Sequence, residues 1–356
     1  MTVLSIIFAI LLFSLLIFVH ELGHFLAAKA SGVRVNEFSL FMGPAIFKKQ
    51  KGETLYSLRC IPIGGYCAME GEDEDTEDPH SFQKAAWWKR LIILVAGAFM
   101  NFIAGFLLLM LVFSFDKARV TPVIAQTEDG CTIILEDGLH VGDRFIKIDG
   151  YRVYTASDAN MLLSLGGEKM DIVVERNGKK LYFDDYAMEK HLFTDPETGE
   201  QSERFGFSFG IEKANAGNLL SYTWASTRSV VQTVWLSLKM LLTGQAGLQD
   251  MTGPVGIVSL MSSTATASKT VGLAILNMLY FGGFIAINLA VMNLLPIPAL
   301  DGGRCVGLLL TTGVEAVTRK KLNSKYEGYV HAVGMVLLLI LMAVIMFKDI
   351  FTIFKG

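Results

Sequence analysis

The stretch LLFSLLIFVHELGHFLAAKASG, residues 11–32, decides how this chain is organised, because a long apolar run ends in two histidines and a glutamate. With the residues before it, the run is long enough for a helix that crosses a lipid bilayer, which needs about 20 residues. Ionisable side chains inside such a helix are costly and usually mark a functional site. We therefore expect a membrane helix that carries a site near one end.

The two histidines and the glutamate form the pattern H-E-x-x-H at residues 20–24. Residues i and i+4 of a helix share one face, so His20 and His24 can reach one metal ion. Glu21 then lies beside the metal, where it can take a proton from water. Zinc is the expected ion, because a catalytic zinc site has three protein ligands and one open position. The alternative, a chance match, would leave a costly unliganded cluster inside a membrane helix.

The composition agrees with a membrane protein that also has a soluble part. Of the 356 residues, 52% are hydrophobic and only 18% are charged, which is too apolar for an ordinary soluble enzyme. The formal net charge of −3 gives no indication of a nucleic-acid partner. The four cysteines form no C-x-x-C pair, so neither a zinc knuckle nor a disulfide framework is indicated.

Four stretches are predicted to span the bilayer, namely residues 3–19, 91–115, 271–295 and 330–347. For the first, a cleaved signal peptide is the alternative, but no Lys or Arg precedes the apolar run. Basic residues concentrate between the first and second spans and between the third and fourth, which predicts that both loops are cytoplasmic. A fifth stretch, residues 219–242, carries Arg228 and Lys239 and is predicted to lie in the membrane interface as an amphipathic helix.

A third metal ligand is expected where the third span ends, in NLLPIPALDGGR, residues 293–304. Pro296 and Pro298 cannot continue a helix, so the backbone should open there at membrane depth. Open backbone at that depth is tolerated only where it is buried in protein or lines a wet cavity. Both prolines are candidate substrate-binding residues. Asp301 follows on the same side of the membrane as the H-E-x-x-H motif and is the candidate ligand. An ordinary loop exit is the alternative.

The motifs HELGH and NLLPIPALDG together resemble the two signatures of the site-two protease family of intramembrane zinc metalloproteases, in the bacterial branch that carries a PDZ domain. The resemblance covers nearly the whole chain and includes GPVGI, residues 253–257. It implies that Glu21 is the general base and that zinc is bound by His20, His24 and Asp301. It also implies that Asn293 helps to hold the substrate backbone.

The loop after the first span is predicted to form a β-hairpin at the cytoplasmic side of the membrane. Residues 38–69 alternate apolar and polar side chains around glycines and prolines, as such hairpins do. Gly64 and Gly65 suit an irregular edge strand with free backbone groups. A protease must hold its substrate extended, and strand addition to an edge does so, which makes both glycines candidate substrate-binding residues. A plain interfacial hairpin is the alternative.

The segment between the second and third spans is predicted to contain one PDZ domain. The stretch EDGLHVGDRFIKIDGYRV, residues 136–153, resembles the Gly-Leu-x-x-Gly-Asp stretch of such domains. A segment of about 90 residues, 121–211, can bury a core of its own. We predict that this domain filters substrates by size, and the competing hypothesis makes it a docking site for a newly exposed carboxylate.

The sequence therefore predicts a polytopic α-helical membrane protein with four transmembrane helices, a membrane-associated β-hairpin loop and one extracytoplasmic PDZ domain of α+β type. The expected domains are residues 1–116 (first two spans), 117–215 (PDZ), 216–270 (interfacial region) and 271–356 (last two spans). The expected function is zinc-dependent cleavage, within the bacterial cell membrane, of single-span proteins such as anti-sigma factors or remnant signal peptides. The alternatives are a catalytically silent PDZ adaptor and a metal-ion transporter, which would want an internal repeat of its spans that the sequence lacks.

Overall fold

The computed structural model describes residues 2–72, 76–128, 131, 138–194, 201–247, 249–319 and 325–355. The start of the predicted PDZ stretch, Glu136 and Asp137, and two of the basic loop residues, Lys320 and Lys321, lie outside these ranges. The chain divides into two compact units, Met1–Val112 with Val234–Gly356, and Phe113–Thr233.

The helices of the described residues are α1 Thr2–Ser31, α2 Trp87–Phe113, α3 Ala156–Leu165, α4 Ala216–Leu242, α5 Pro254–Ala267, α6 Val271–Asn293, α7 Asp301–Thr318 and α8 Lys325–Lys355. The strands are β1 Val35–Lys51, β2 Thr54–Met69, β3 Ala118–Thr127, β4 Arg144–Ile148, β5 Tyr151–Arg152, β6 Lys169–Arg176, β7 Lys179–Ala187, β8 His191–Thr194, β9 Gln201–Arg204 and β10 Phe207–Lys213.

Within the described ranges, four helices are long and apolar enough to cross a membrane: Val3–Ser31, Trp87–Phe113, Val271–Asn293 and Gly328–Thr352. They confirm the number and the order of the predicted spans. The helix α4, which contains the amphipathic stretch 219–242, is not among them, although its position at the membrane interface stays a prediction.

Glycines allow the membrane helices of the first unit to pack backbone against backbone. A Cβ atom on Gly23 of α1 would lie 2.4 Å from the carbonyl oxygen of Ala96 in α2. One on Gly105 of α2 would lie 2.8 Å from the carbonyl oxygen of Gly283 in α6. Because lipid is as apolar as the helix surface, such close van der Waals contact is a main source of attraction between membrane helices. The contact at Gly23 holds the H-E-x-x-H turn of α1 directly against α2.

The strands β1 and β2 form the predicted hairpin between α1 and α2. Lys51 pairs with Thr54 across a two-residue turn, and Gly52 supplies the positive φ, 62°, that tight hairpin turns need. The buried hydroxyl of Ser14 in α1 donates a hydrogen bond to the Pro62 carbonyl oxygen at 2.9 Å. Since Ser14 lies inside a helix that can cross a membrane, β2 runs beside a membrane span at this point.

A partly buried polar network fixes the shape of the hairpin. The Arg59 guanidinium donates hydrogen bonds to the Glu37 carboxylate and to the Gly43 carbonyl oxygen, both at 2.7 Å. Burial alone would raise the pKa of Glu37, but hydrogen bonds from Ser57 and Arg59 outweigh it and hold that pKa below its usual value. The network therefore cross-links the first half of β1 to β2 through a charged carboxylate.

The second unit is an antiparallel sheet with one short helix against it. The strand order is β10-β3-β4-β6-β7, and β5 pairs with β4. Side chains from β4, β6 and α3 form its core, including Phe145, Ile148, Leu163 and Ile172. The helix α3 begins with a capping box, in which Thr155 and Asp158 each bond to the other's backbone N–H. A small α+β domain agrees with the prediction, and its assignment as a PDZ domain stays a prediction.

Candidate metal centre

The H-E-x-x-H motif and the aspartate after the third span meet in a small triangle. The Nε2 atoms of His20 and His24 lie 3.1 Å apart. The Asp301 Oδ2 atom lies 3.2 Å from Nε2 of His20 and 3.4 Å from Nε2 of His24. Two ligand atoms on a tetrahedral zinc ion are separated by roughly 3.3 Å, because each bond is about 2.0–2.1 Å long. The triangle therefore has the size that zinc requires.

The chemistry of these three groups also fits a cation. The Asp301 Oδ2 atom is buried and has no hydrogen-bond partner among the described residues. Such an oxygen is costly unless a positive charge or a donor compensates it. Two imidazoles and one carboxylate form a ligand set of a kind that binds catalytic zinc. No other group of three His, Cys, Asp or Glu side chains converges in this way within the part of the chain that the structure describes.

The helix α2 holds His24 in the orientation that a metal ligand needs. The Nδ1 atom of His24 lies 2.8 Å from the carbonyl oxygen of Ile93. A carbonyl can only accept, so this bond assigns the proton to Nδ1 and leaves the lone pair of Nε2 facing the triangle. One turn further along α2, a Cβ atom on Gly97 would lie 2.3 Å from Nε2 of His24 and 2.7 Å from Cε1 of His20. Only glycine leaves the two rings their space.

The turn between α6 and α7 brings Asp301 to the histidines. The helix α6 ends at Asn293 and α7 begins at Asp301, so the chain leaves the helix at the two prolines, as the sequence predicts. Pro298 and Ala299 occupy the two central positions of a β-turn. Ala299 has a φ of 82°, the value that the third residue of a type II turn adopts. A Cβ on Gly302 would come within 2.3 Å of the backbone of Leu294 and Leu295, so a glycine is needed there for close packing.

The general-base candidate and part of the hairpin lie at the same site. Glu21 is half-buried and lies within electrostatic range of both histidines and of Asp301. A Cβ atom on Gly65 of β2 would lie 3.7 Å from Cγ of Glu21, so this strand passes beside the carboxylate. A Cβ on Gly64 would instead meet the Met42 side chain at 3.0 Å. The structure therefore brings Gly65 next to Glu21, and the Cβ position of Gly64 faces Met42.

Of the remaining predicted substrate-binding residues, Asn293 lies at the histidines, and Pro296 and Pro298 lie in the segment between α6 and α7. The Asn293 Nδ2 atom lies 3.4 Å from Nδ1 and 3.5 Å from Nε2 of His20, so this asparagine belongs to the site. Pro298 lies against α8, where a Cβ on Gly334 would approach it to 2.3 Å. Pro296 lies in the turn between α6 and α7. Their roles toward a substrate stay predictions.

Two residues of α2 were missed by sequence reasoning. Gly97 provides the space for the ligand rings, and the Asn101 Nδ2 atom lies 3.5 Å from Nδ1 of His20. The signal for Asn101 was available, because an amide side chain inside a predicted membrane helix is costly and points to a function. No signal in the sequence gives the rotation of α2 about its axis, on which both contacts depend.

Comparison with known proteins shows relatives named as zinc metalloproteases. The sequence profile of peptidase family M50 matches residues 8–341. A Clostridium perfringens protein named as a zinc metalloprotease is 35% identical over 352 residues, which cover 97% of this chain and 98% of that protein. A Fusobacterium nucleatum protein of the same designation is 33% identical over 98% of both chains. The regulator of sigma-W protease RasP of Bacillus subtilis is 28% identical over 96% of this chain and 97% of its own.

Proposed function

The chain belongs to peptidase family M50, the site-two protease family of zinc metalloproteases, and on this premise we propose that it cleaves the membrane-spanning segments of other proteins. The observation that carries the proposal is the triangle of His20, His24 and Asp301, since two of its members lie on a helix that can cross a membrane. Such a position favours a substrate that lies in the same membrane. A catalytically silent adaptor would not need the complete set of His20, Glu21, His24 and Asp301, so this set argues against that alternative.

Each site residue has a distinct role in the proposed reaction. His20, His24 and Asp301 hold zinc, which when bound supplies Lewis acidity toward the scissile carbonyl and makes water nucleophilic near neutral pH. The Glu21 carboxylate accepts a proton from the attacking water as the new carbon–oxygen bond forms. It then delivers that proton to the amine nitrogen as the peptide bond breaks. Proximity to both histidines and Asp301 supports this role for Glu21.

The substrate is held as an extended strand beside Glu21. The backbone of a helix is fully hydrogen-bonded, so a membrane helix must open before water can reach its carbonyl groups. Residues 65–69 of β2 pair only with the first half of β1 among the described residues, which leaves their other edge available. Gly65 on that edge lies next to Glu21, which supports addition of a substrate strand there. The position of Asn293 beside His20 supports a role for this asparagine in binding the opened substrate backbone.

The substrates are single-span membrane proteins. The name of the Bacillus subtilis relative, a regulator of sigma-W protease, supports substrates that control sigma factors, such as anti-sigma factors. Remnant signal peptides have the same architecture, one apolar helix with little attached to it, and are the second expected class. Proteins that accumulate as membrane stubs in cells with an inactive enzyme will distinguish the two classes.

Removal of the third ligand tests the metal site. We expect purified wild-type protein to hold one zinc ion per chain and Asp301→Asn to weaken zinc binding by more than about 100-fold, since changes beyond the ligands already cost 10- to 100-fold. Asparagine has the shape of aspartate but no charge, so packing is preserved. Metal analysis and chelator competition measure the effect, with Asp250→Asn, an exposed aspartate of the same unit, as the matched control. Normal zinc binding by Asp301→Asn would remove Asp301 from the site.

The orientation in the membrane is tested by thiol labelling. We propose that the hairpin faces the cytoplasm and the second unit the outside, since basic residues flank the hairpin loop. A membrane-impermeant maleimide added to intact cells should label a cysteine introduced at Tyr182, whose side chain is 69% exposed, but not Cys60, which is exposed on the hairpin. Permeabilised cells should label both. Labelling of Cys60 in intact cells would reverse the proposed orientation.

The second unit is proposed to be a PDZ domain that excludes substrates with large outer domains. Val120 of β3 and Ile211 of β10 are paired residues, so an Asn-Gly turn can replace residues 121–210 with little strain. This variant should cleave a short single-span peptide at the wild-type rate and newly cleave a substrate whose outer domain is intact. If the domain is instead a required docking site, the variant will lose cleavage of short substrates. A membrane-reconstituted assay with both substrates separates the two outcomes.

A further inference from the structure

We infer that Asn101 is a positioning residue for the metal centre, in which its side-chain oxygen accepts the Nδ1 proton of His20. The inference rests on the proposed role of His20 as a zinc ligand. It gives α2 control over both histidines, since Ile93 on the same helix already orients His24.

The environment of Asn101 requires a partner for its side-chain oxygen. Asn101 is 1% exposed and lies in α2, a helix that can cross a membrane. Its Oδ1 atom is buried and has no hydrogen-bond partner within the described residues. A buried amide oxygen without a donor is costly, and lipid offers no water to relieve that cost. An asparagine at this position therefore needs a donor within reach.

His20 has the matching requirement. When Nε2 of a histidine binds a metal, Nδ1 carries the proton, and ligating histidines almost always donate that proton to an acceptor. The Asn101 amide of α2 lies near Nδ1 of His20, with its Nδ2 atom 3.5 Å away. The nitrogen and oxygen of an amide have the same shape, and their assignment follows from hydrogen bonding. Turning the amide by 180° places the oxygen toward Nδ1, where it can accept the Nδ1 proton of His20.

Asn293 does not meet this requirement. Its Nδ2 atom lies at nearly equal distances, 3.4 Å and 3.5 Å, from the two ring nitrogens of His20. An acceptor for the Nδ1 proton must lie in line with one N–H bond, and a group equidistant from both nitrogens does not. Asn293 therefore contacts the ring and remains available to a substrate, while Asn101 serves Nδ1.

The spacing along α2 supports this division of roles. Ile93, Gly97 and Asn101 follow one another at intervals of four residues, so they form one stripe on the helix. The stripe presents a carbonyl acceptor to His24, an open space to both rings and an amide acceptor to His20. One face of α2 thus sets the orientation of both imidazoles.

Three variants test the inference in the full-length protein in detergent. Asn101→Leu keeps the size of the side chain and removes the acceptor, so zinc affinity should fall about 10- to 100-fold. Asn101→Asp keeps an acceptor oxygen and should retain affinity within a few-fold. The matched control, Asn277→Leu, removes an amide of α6 that bonds to Ser268 and should leave affinity unchanged. Chelator competition gives the zinc affinity, and the absorption spectrum of the cobalt-substituted protein reports ligand geometry without any assay of proteolysis.

The outcomes separate this inference from the proposed function. If Asn101→Leu and wild type bind zinc equally while His20→Ala loses it, the orienting role is wrong and the zinc site stands. If His20→Ala binds zinc normally, the proposed site itself is wrong. An equal loss in the leucine and aspartate variants would make Asn101 a packing residue and overturn the inference. Should the leucine variant fail to fold, Asn101→Ala, which cannot overfill the space, replaces it with the same expected loss.

Discussion

Glu21→Gln is expected to keep one zinc ion per chain. Its rate of proteolysis should fall about 100- to 10,000-fold, which is the usual contribution of a positioned general base. Glutamine has nearly the shape of glutamate but cannot accept a proton from water at neutral pH. It removes no metal ligand, since the converging atoms come from His20, His24 and Asp301. Retained zinc with lost hydrolysis is therefore the signature of a base rather than of a ligand.

The measurement combines metal analysis with cleavage of a single-span peptide in reconstituted membranes. Glu53→Gln, which changes a carboxylate of the hairpin turn bonded to Lys29, is the matched control and should cleave at the wild-type rate. In cells, Glu21→Gln should cause membrane stubs of the natural substrates to accumulate, which identifies them. A variant that loses zinc together with activity would show that Glu21 contributes to binding the metal, and the assignment as base would be wrong.

The sequence was sufficient for the parts of the site that local patterns encode. Four-residue spacing placed His20 and His24 on one helix face, and the two prolines predicted the break between Asn293 and Asp301 that the structure contains. The spans were predicted correctly in number because the length and the apolar composition of a membrane helix can both be read directly from the sequence. Each of these inferences needs only residues within a few turns of one another.

Contacts between segments that are distant in the sequence were harder to predict. Gly64 and Gly65 were equivalent in the sequence, but the Cβ position of Gly65 faces Glu21 and that of Gly64 faces Met42, because neighbouring residues of a strand face opposite sides. Strand register alone decides between them, and the irregular pairing of β1 with β2 could not be deduced from composition. The same holds for Gly97, whose importance depends on how α2 is rotated relative to α1.

Gly97→Ala is expected to weaken zinc binding by more than about 100-fold and to abolish proteolysis, although it adds only one methyl group. That methyl carbon would lie 2.3 Å from Nε2 of His24 and 2.8 Å from Nδ1 of His20, far inside van der Waals contact. Both rings, or the helices that carry them, must then move. The triangle tolerates little displacement, because zinc–ligand distances vary by only about 0.2 Å. Chelator competition measures the affinity, and thermal unfolding in detergent tests whether the helices still pack.

A loss of zinc affinity in Gly97→Ala would distinguish a steric role at the site from the usual effect of alanine on helix stability. Alanine in place of glycine inside a helix normally stabilises it by about 0.5–1 kcal/mol. Gly313, in the middle of α7, has open space where its Cβ would lie, so Gly313→Ala should keep zinc and retain or gain stability. Gly97→Ala should instead lose zinc even if its unfolding temperature rises. Wild-type zinc affinity in Gly97→Ala would mean that the histidine rings do not lie against this face of α2. The orientation of both ligands described here would then be incorrect, because the same face carries the Ile93 carbonyl and the Asn101 amide.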